Sequence, residues 1–108
     1  MAGDTEVRVV LVTAPVGEAE ALGRALVAER LAACVNVVPG VHSIYRWEGK
    51  VQADDEALLV IKTNETQLAA LTERVKTLHS YDLPEVLALP AVGGSAEYLG
   101  WVVGEVAS

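Results

Sequence analysis

Few side chains in this chain can do chemistry. His42 and His79 are its two imidazoles and Cys34 its single thiol among 108 residues. No HxH or HExxH spacing puts two imidazoles on one face, so a zinc site built within one chain is not expected. His79 is followed by Tyr81, Asp82 and Glu85, which could gather polar groups around a bound cation. A simpler role for the same imidazole is to face the C-terminal carbonyls of a helix, which favour a partly protonated ring. Cys34 lies in an apolar run, where a cysteine ordinarily serves as a small buried hydrophobe, and as a thiolate it would be a metal ligand. One cysteine excludes an intrachain disulfide and a CxxC pair and suits a reducing cytoplasm.

Three other motifs fail on their context. Gly93-Gly94-Ser95-Ala96-Glu97 stands where a nucleophile elbow would, but Glu97 replaces the final glycine and no His and acid partners are recognisable. Ser95 reads as a helix cap. Gly49-Lys50 ends like a P-loop, yet Ile44 stands where the leading glycine belongs. Asn64-Glu65-Thr66 matches a glycosylation acceptor in a chain that shows no secretory signal, because Met1 to Glu6 lack a basic segment and Val9–Val12 is too short for a membrane span. The aromatic residues say more. There is no Phe, and Tyr45, Trp47, Tyr81, Tyr98 and Trp101 all fall near the ends of elements, where Tyr and Trp suit an intersubunit seam or a ligand cleft.

The elements that must position these side chains are legible from periodicity. Val7–Thr13 is a β-branched run closed by Ala14-Pro15 and predicts a strand. Ala19, Leu22 and Leu26 predict a helix from Gly17 to about Leu31. Ala33 to Trp47 predicts one long strand bent at Pro39-Gly40, then a turn at Trp47-Glu48-Gly49-Lys50 and a strand over Glu56–Ile61 that completes an antiparallel hairpin. Asn64 with Gln67 caps a helix carrying Leu68, Leu71, Val75 and Leu78 and ending at His79. A short strand, Glu85–Leu89, and a last helix with Tyr98, Leu99, Trp101 and Val102 follow.

This β-α-β-β-α-β order with an extra C-terminal helix predicts one domain over residues 1–108, a ferredoxin-like α+β sandwich. Two helices cover one face of a four-stranded sheet. In Val9–Val12 and Ala57–Ile61 both alternating sets of side chains are apolar, so the other face needs burying too, and a homo-oligomer is the simplest way to do it. Fifty-two per cent apolar residues mark a folding chain, and a net charge of −7 disfavours nucleic acid and anionic membrane as partners.

Leu31-Ala32-Ala33-Cys34-Val35-Asn36, Ser43-Ile44-Tyr45-Arg46-Trp47-Glu48-Gly49-Lys50, Ile61-Lys62-Thr63, His79-Ser80-Tyr81-Asp82-Leu83-Pro84-Glu85 and Tyr98-Leu99-Gly100-Trp101 together resemble the CutA divalent-cation tolerance proteins, over about Val9 to Trp101. The resemblance implies a tight homotrimer, a role in tolerance of copper and other divalent cations, and an intersubunit cleft lined by Tyr45, Trp47, Lys62, His79, Tyr81, Glu85 and Trp101. Ser80 departs from the proline usual after that histidine, and the further cysteines of some members are absent.

The expectation is therefore a cytoplasmic trimeric binding protein without enzymatic activity or a required cofactor. Cu(II) is its expected ion, with His79 as main ligand, Glu85 assisting and Cys34 as the thiolate alternative. A trimeric signalling module for a small anionic metabolite, which Lys62 would face, is the second reading, since nitrogen-regulatory trimers share this architecture. A structural anchor for a partner protein is the third.

Overall fold

The computed structural model describes residues 5–108, so Met1–Asp4, read above as free of an export signal, lie outside the described residues. The chain runs β1 (Val7–Ala14), α1 (Val16–Ala28), β2 (Cys34–Trp47), β3 (Lys50–Asn64), α2 (Leu68–Leu78), β4 (Leu87–Pro90) and α3 (Ala96–Glu105). The strands form one antiparallel sheet in the order β2-β3-β1-β4, the ferredoxin-like arrangement expected.

Alternation of side chains along the strands divides the sheet into two faces. Val10, Val12 and Ala14 of β1 and Ala57, Leu59 and Ile61 of β3 point to one side, where they pack with Ala19, Leu22 and Leu26 of α1 and Leu71 and Val75 of α2. This core is built of aliphatic side chains with no Phe. Helix α1 approaches β2 closely at Gly23, where a Cβ would stand 3.1 Å from Val35 Cγ1. Helix α2 begins as the capping pattern predicts. Asn64 Oδ1 accepts from the Gln67 N–H at 2.8 Å, through a single 3-10 turn over Glu65–Gln67. Leu78, expected on the buried face, is exposed instead, because α2 ends there and the chain turns away.

On the other side, the sheet is covered only at one end. Val7 packs there with Ala33 and with Val102 and Val106 in or just after α3, and Ser95 caps that helix as expected by accepting from the Tyr98 N–H. Beyond α3, Leu89 and Val9 line up with Lys62 and Cys34 in one row across the strands, and Leu87, Leu11, Val60 and Asn36 form the next row. Leu87 is 54% and Leu89 46% exposed. The face is apolar and bare.

The hairpin departs from expectation in length. Strand β3 begins at Lys50, not Glu56, because Gln52, Ala53, Asp54 and Asp55 pair with Tyr45, Ile44, Ser43 and His42 in a two-stranded ribbon that extends past β1. Its polar residues are exposed on both sides and carry no apolar alternation to betray a strand. The ribbon is sharply defined by its ends. Glu48 and Gly49 both have positive φ, 50° and 78°, the two-residue turn that matches strand twist, and the register shifts between Val38 and Val41, where Gly40 has a φ of 77°. Smaller differences are α1, which ends at Ala28, and β4, which starts at Leu87 and places Pro90 on an edge strand where a missing N–H is tolerated.

Candidate functional site

The part of the hairpin that extends beyond β1 and the segment after α2 meet where β1 ends. His79 turns the chain there. Its backbone N–H donates to the Val75 carbonyl at 2.8 Å, while its ring leaves the helix end and packs beneath the sheet edge, 8% exposed. Nε2 donates to the Thr13 carbonyl oxygen at 2.7 Å and Nδ1 accepts from the Tyr81 N–H at 3.1 Å. A carbonyl on one side and an N–H on the other select the Nε2–H tautomer, and the single ring lone pair is already used. The Tyr81 ring stacks at 4.6 Å on the imidazole, so the histidine fixes the position of the tyrosine.

Tyr81 in turn donates its hydroxyl to Glu56 Oε2 at 2.8 Å. Glu56 is 5% exposed and has no cationic partner among the described residues. The phenol is pushed up to about 12, by burial first and then by the hydrogen bond and charge of Glu56. Tyr45, across the same cleft, donates to Asp54, which holds its phenol above the ordinary range. Glu85 lies at the mouth, and burial together with the Glu56 charge raises its carboxyl above the ordinary range. Tyr45, Trp47, Glu56, Tyr81 and Glu85, with Thr13 and Leu83 between them, enclose about 450 Å³. An adjoining hollow of about 340 Å³ is framed by Tyr45, Trp47, Tyr81 and Leu83 with Ser80 and Asp82. The result is an aromatic-walled, acid-floored cleft of ligand size.

Lys62, Cys34 and Trp101 are elsewhere. Lys62 pairs directly with Cys34 across the strands and hydrogen-bonds Asn36, and the Cys34 sulfur lies 3.9 Å from the same amide oxygen. Burial first, and then Cys34, raise the Tyr98 phenol, which marks α3 as the neighbour of this group. Trp101 stacks with Tyr98 at 5.7 Å. Lys62 and Glu56 point to the same face of β3, and six residues at about 3.3 Å each separate them by roughly 20 Å. The seven residues expected in one cleft thus form two groups at opposite ends of the open face.

The expected metal ligands are likewise not gathered within the subunit. Cys34 stands in the Lys62 group, Glu85 opens into the cleft, and His79 lies behind Tyr81 with both ring nitrogens engaged. No cluster of three His, Cys, Asp or Glu side chains among the described residues could hold a metal ion. The exposed imidazole is His42, which belongs to no HxH or HExxH spacing. Its Nδ1 lies 2.9 Å from Asp55 Oδ1, directly across the ribbon. Only the unexpected extension of β3 brings those two residues together. Glu56 was also missed, because a carboxylate beside an apolar run gives no signal until Tyr81 folds over it.

Comparison with known proteins agrees with this architecture. Residues 8–105 match the family model described as CutA1 divalent ion tolerance protein. The chain is 58% identical over 95 residues to Protein CutA 1, chloroplastic, of Oryza sativa subsp. japonica, a match covering 87% of this chain and 54% of that protein. It thus spans about half the length of that plant relative. It is 55% identical to the divalent-cation tolerance protein CutA of Thermus thermophilus, over 87% of this chain and 92% of that one. The crystal structure of CutA1 from Oryza sativa superposes with a TM-score of 0.93 at 50% identity, covering 98% of each chain. The family match extends over all four strands and all three helices, and the chain belongs to the CutA1 divalent ion tolerance protein family.

Proposed function

We propose that this chain acts in the cytoplasm as a homotrimer in divalent-cation tolerance, binding copper as Cu(II) and catalysing no reaction. The observation that carries the reading is the open sheet face, apolar along Val9, Leu11, Val60, Leu87 and Leu89 and flanked by the two halves of one set of polar and aromatic residues. A lone subunit would leave this surface in water at a cost that assembly removes. The relatives' names as divalent-cation tolerance proteins support the role. Copper is favoured because it heads the affinity order for nitrogen and oxygen ligands.

Two imidazoles can serve it. His79 binds only if its ring gives up the Tyr81 N–H, after which Glu85 or a neighbouring subunit would have to complete the set. Exposed His42 beside Asp55 needs no such release. Calorimetry with Cu(II) on the wild type and on His42→Ala, His79→Ala and Cys34→Ser tests this. We expect modest binding at pH 7.5 that weakens at pH 5.5, since a ligating imidazole must be unprotonated, and a larger loss in His42→Ala than in His79→Ala. Zn(II) should bind more weakly. Loss confined to Cys34→Ser would move the site to the thiolate, and equal binding by all four proteins at both pH values would refute a specific copper site.

One observation favours a second reading, that the trimer senses a small anionic metabolite. Lys62 projects from the open face with no carboxylate partner among the described residues. Thermal-shift screening with carboxylates and nucleotides separates the two, because only this reading predicts stabilisation that Lys62→Met abolishes.

A further inference from the structure

Glu56 is a buried carboxylate with half of its bonding capacity unused. It has no cationic partner among the described residues, and its Oε2 accepts the Tyr81 hydroxyl at 2.8 Å while Oε1 accepts from no donor among them. Those residues contain no side-chain oxygen that is both sealed from solvent and unpartnered, so Oε1 is reached from the cleft that Glu56 lines. A carboxylate so withdrawn from water calls for a donor that carries positive charge. Arg46, on the rim, does not supply it, because its guanidinium turns to the Gly49 carbonyl at 3.4 Å. Above Glu56 stand Tyr45, Trp47 and Tyr81, each about two-fifths exposed, whose ring faces attract a cation and whose area suits hydrocarbon. A metal ion fits these surroundings poorly. No group of three His, Cys, Asp or Glu side chains among the described residues could hold one, and the two phenols are spent as donors to Glu56 and Asp54. An ammonium group needs only one carboxylate oxygen and the ring faces.

We propose that this cleft binds a small protonated alkylamine, whose N–H donates to Glu56 Oε1 and whose hydrocarbon part lies against Tyr45, Trp47 and Tyr81. Every group that the site uses belongs to one chain, and neither the copper ligands nor Lys62 of the readings above takes part. The Tyr81 hydroxyl holds the carboxylate in place from its other oxygen, leaving Oε1 for the ligand. His79 is a positioning residue, since it fixes Tyr81 through the backbone N–H at 3.1 Å and the stacked ring at 4.6 Å. A volume of about 450 Å³ admits an amine of a few carbons.

The probe is n-butylamine, which is protonated at pH 7.5, and 1-butanol of nearly the same shape is its uncharged counterpart. Calorimetry on the full chain, with EDTA present to remove metal ions, should find saturable binding of the amine and none of the alcohol at equal concentration. Glu56→Gln keeps an oxygen to accept the Tyr81 hydroxyl but removes the charge, and should weaken the amine by about tenfold or more. Trp47→Leu should weaken it by about threefold through the lost ring face. Glu20→Gln, an exposed carboxylate on α1, makes the same change in net charge far from the cleft and should bind as the wild type does. Circular dichroism reports folding, and if Glu56→Gln does not fold, Trp47→Leu and the comparison of amine with alcohol on the wild type decide the matter. The proposal is overturned if the wild type does not bind the amine, if amine and alcohol bind alike, or if Glu20→Gln weakens binding as much as Glu56→Gln does. It is overturned too if folded Glu56→Gln, or Trp47→Leu in its place, binds as tightly as the wild type.

Discussion

Replacing Tyr81 by Phe removes one hydroxyl and leaves Glu56, 5% exposed, without its donor. The expected cost is about 1–3 kcal/mol, the penalty for a buried acceptor that loses its partner, measured by urea unfolding at pH 7. Tyr45→Phe is the control. Its partner Asp54 is exposed and finds water instead, so the cost should stay within about 0.5 kcal/mol. A spectrophotometric titration should detect one phenol that resists ionisation until about 12. Because this value is raised over the ordinary 10, the stabilisation that it reflects is fully present below pH 10 and is lost as the pH climbs through about 12. At this scale the sequence displayed residue types but not their partners. His79 and Tyr81 were visible as neighbours, but that the imidazole would donate to Thr13, far away in the chain, depends on where α2 stops against β1. Lys62 and Glu85 carried no mark of standing at opposite ends of one face.

The elements were legible where burial is one-sided. Leu71 and Val75 follow the helical period of α2 and are fully buried against β1 and β3, and Asn64 caps that helix through Gln67 as the spacing indicates. Leu71→Ala should cost about 2–5 kcal/mol, from lost transfer energy and the cavity left behind, in chemical unfolding. Thr72→Ala, at a half-buried position where the hydroxyl only bonds back to the Leu68 carbonyl at 2.8 Å, should cost under about 1 kcal/mol. Equal losses would mean that the helix faces the other way. The ribbon from Lys50 to Asp55 was not legible, because its stability comes from pairing with His42 to Trp47 and not from a core. The bend at Pro39-Gly40 was, since proline and a glycine of positive φ mark a bulge in the sequence itself.

At the scale of the whole molecule, two-faced apolar strands already argued that the subunit is incomplete, and the bare rows of β4, β1 and β3 are the form this takes. The Glu85 carboxyl is raised by burial and by the Glu56 charge, so folding favours its protonated acid, and the stability it contributes is fully present below the ordinary carboxylate range and declines as the pH rises through the raised value. Thermal unfolding of Glu85→Gln should therefore lose less stability between acid and neutral pH than the wild type does, and parallel pH profiles would contradict this. The most direct measurement is the mass of the unmodified chain by light scattering at micromolar concentration. Three copies of the 11.4 kDa subunit predict about 34 kDa, unchanged on tenfold dilution as expected of an obligate interface. A mass of 11.4 kDa would contradict the account, leaving the open face without an occupant and the two halves of the cleft apart.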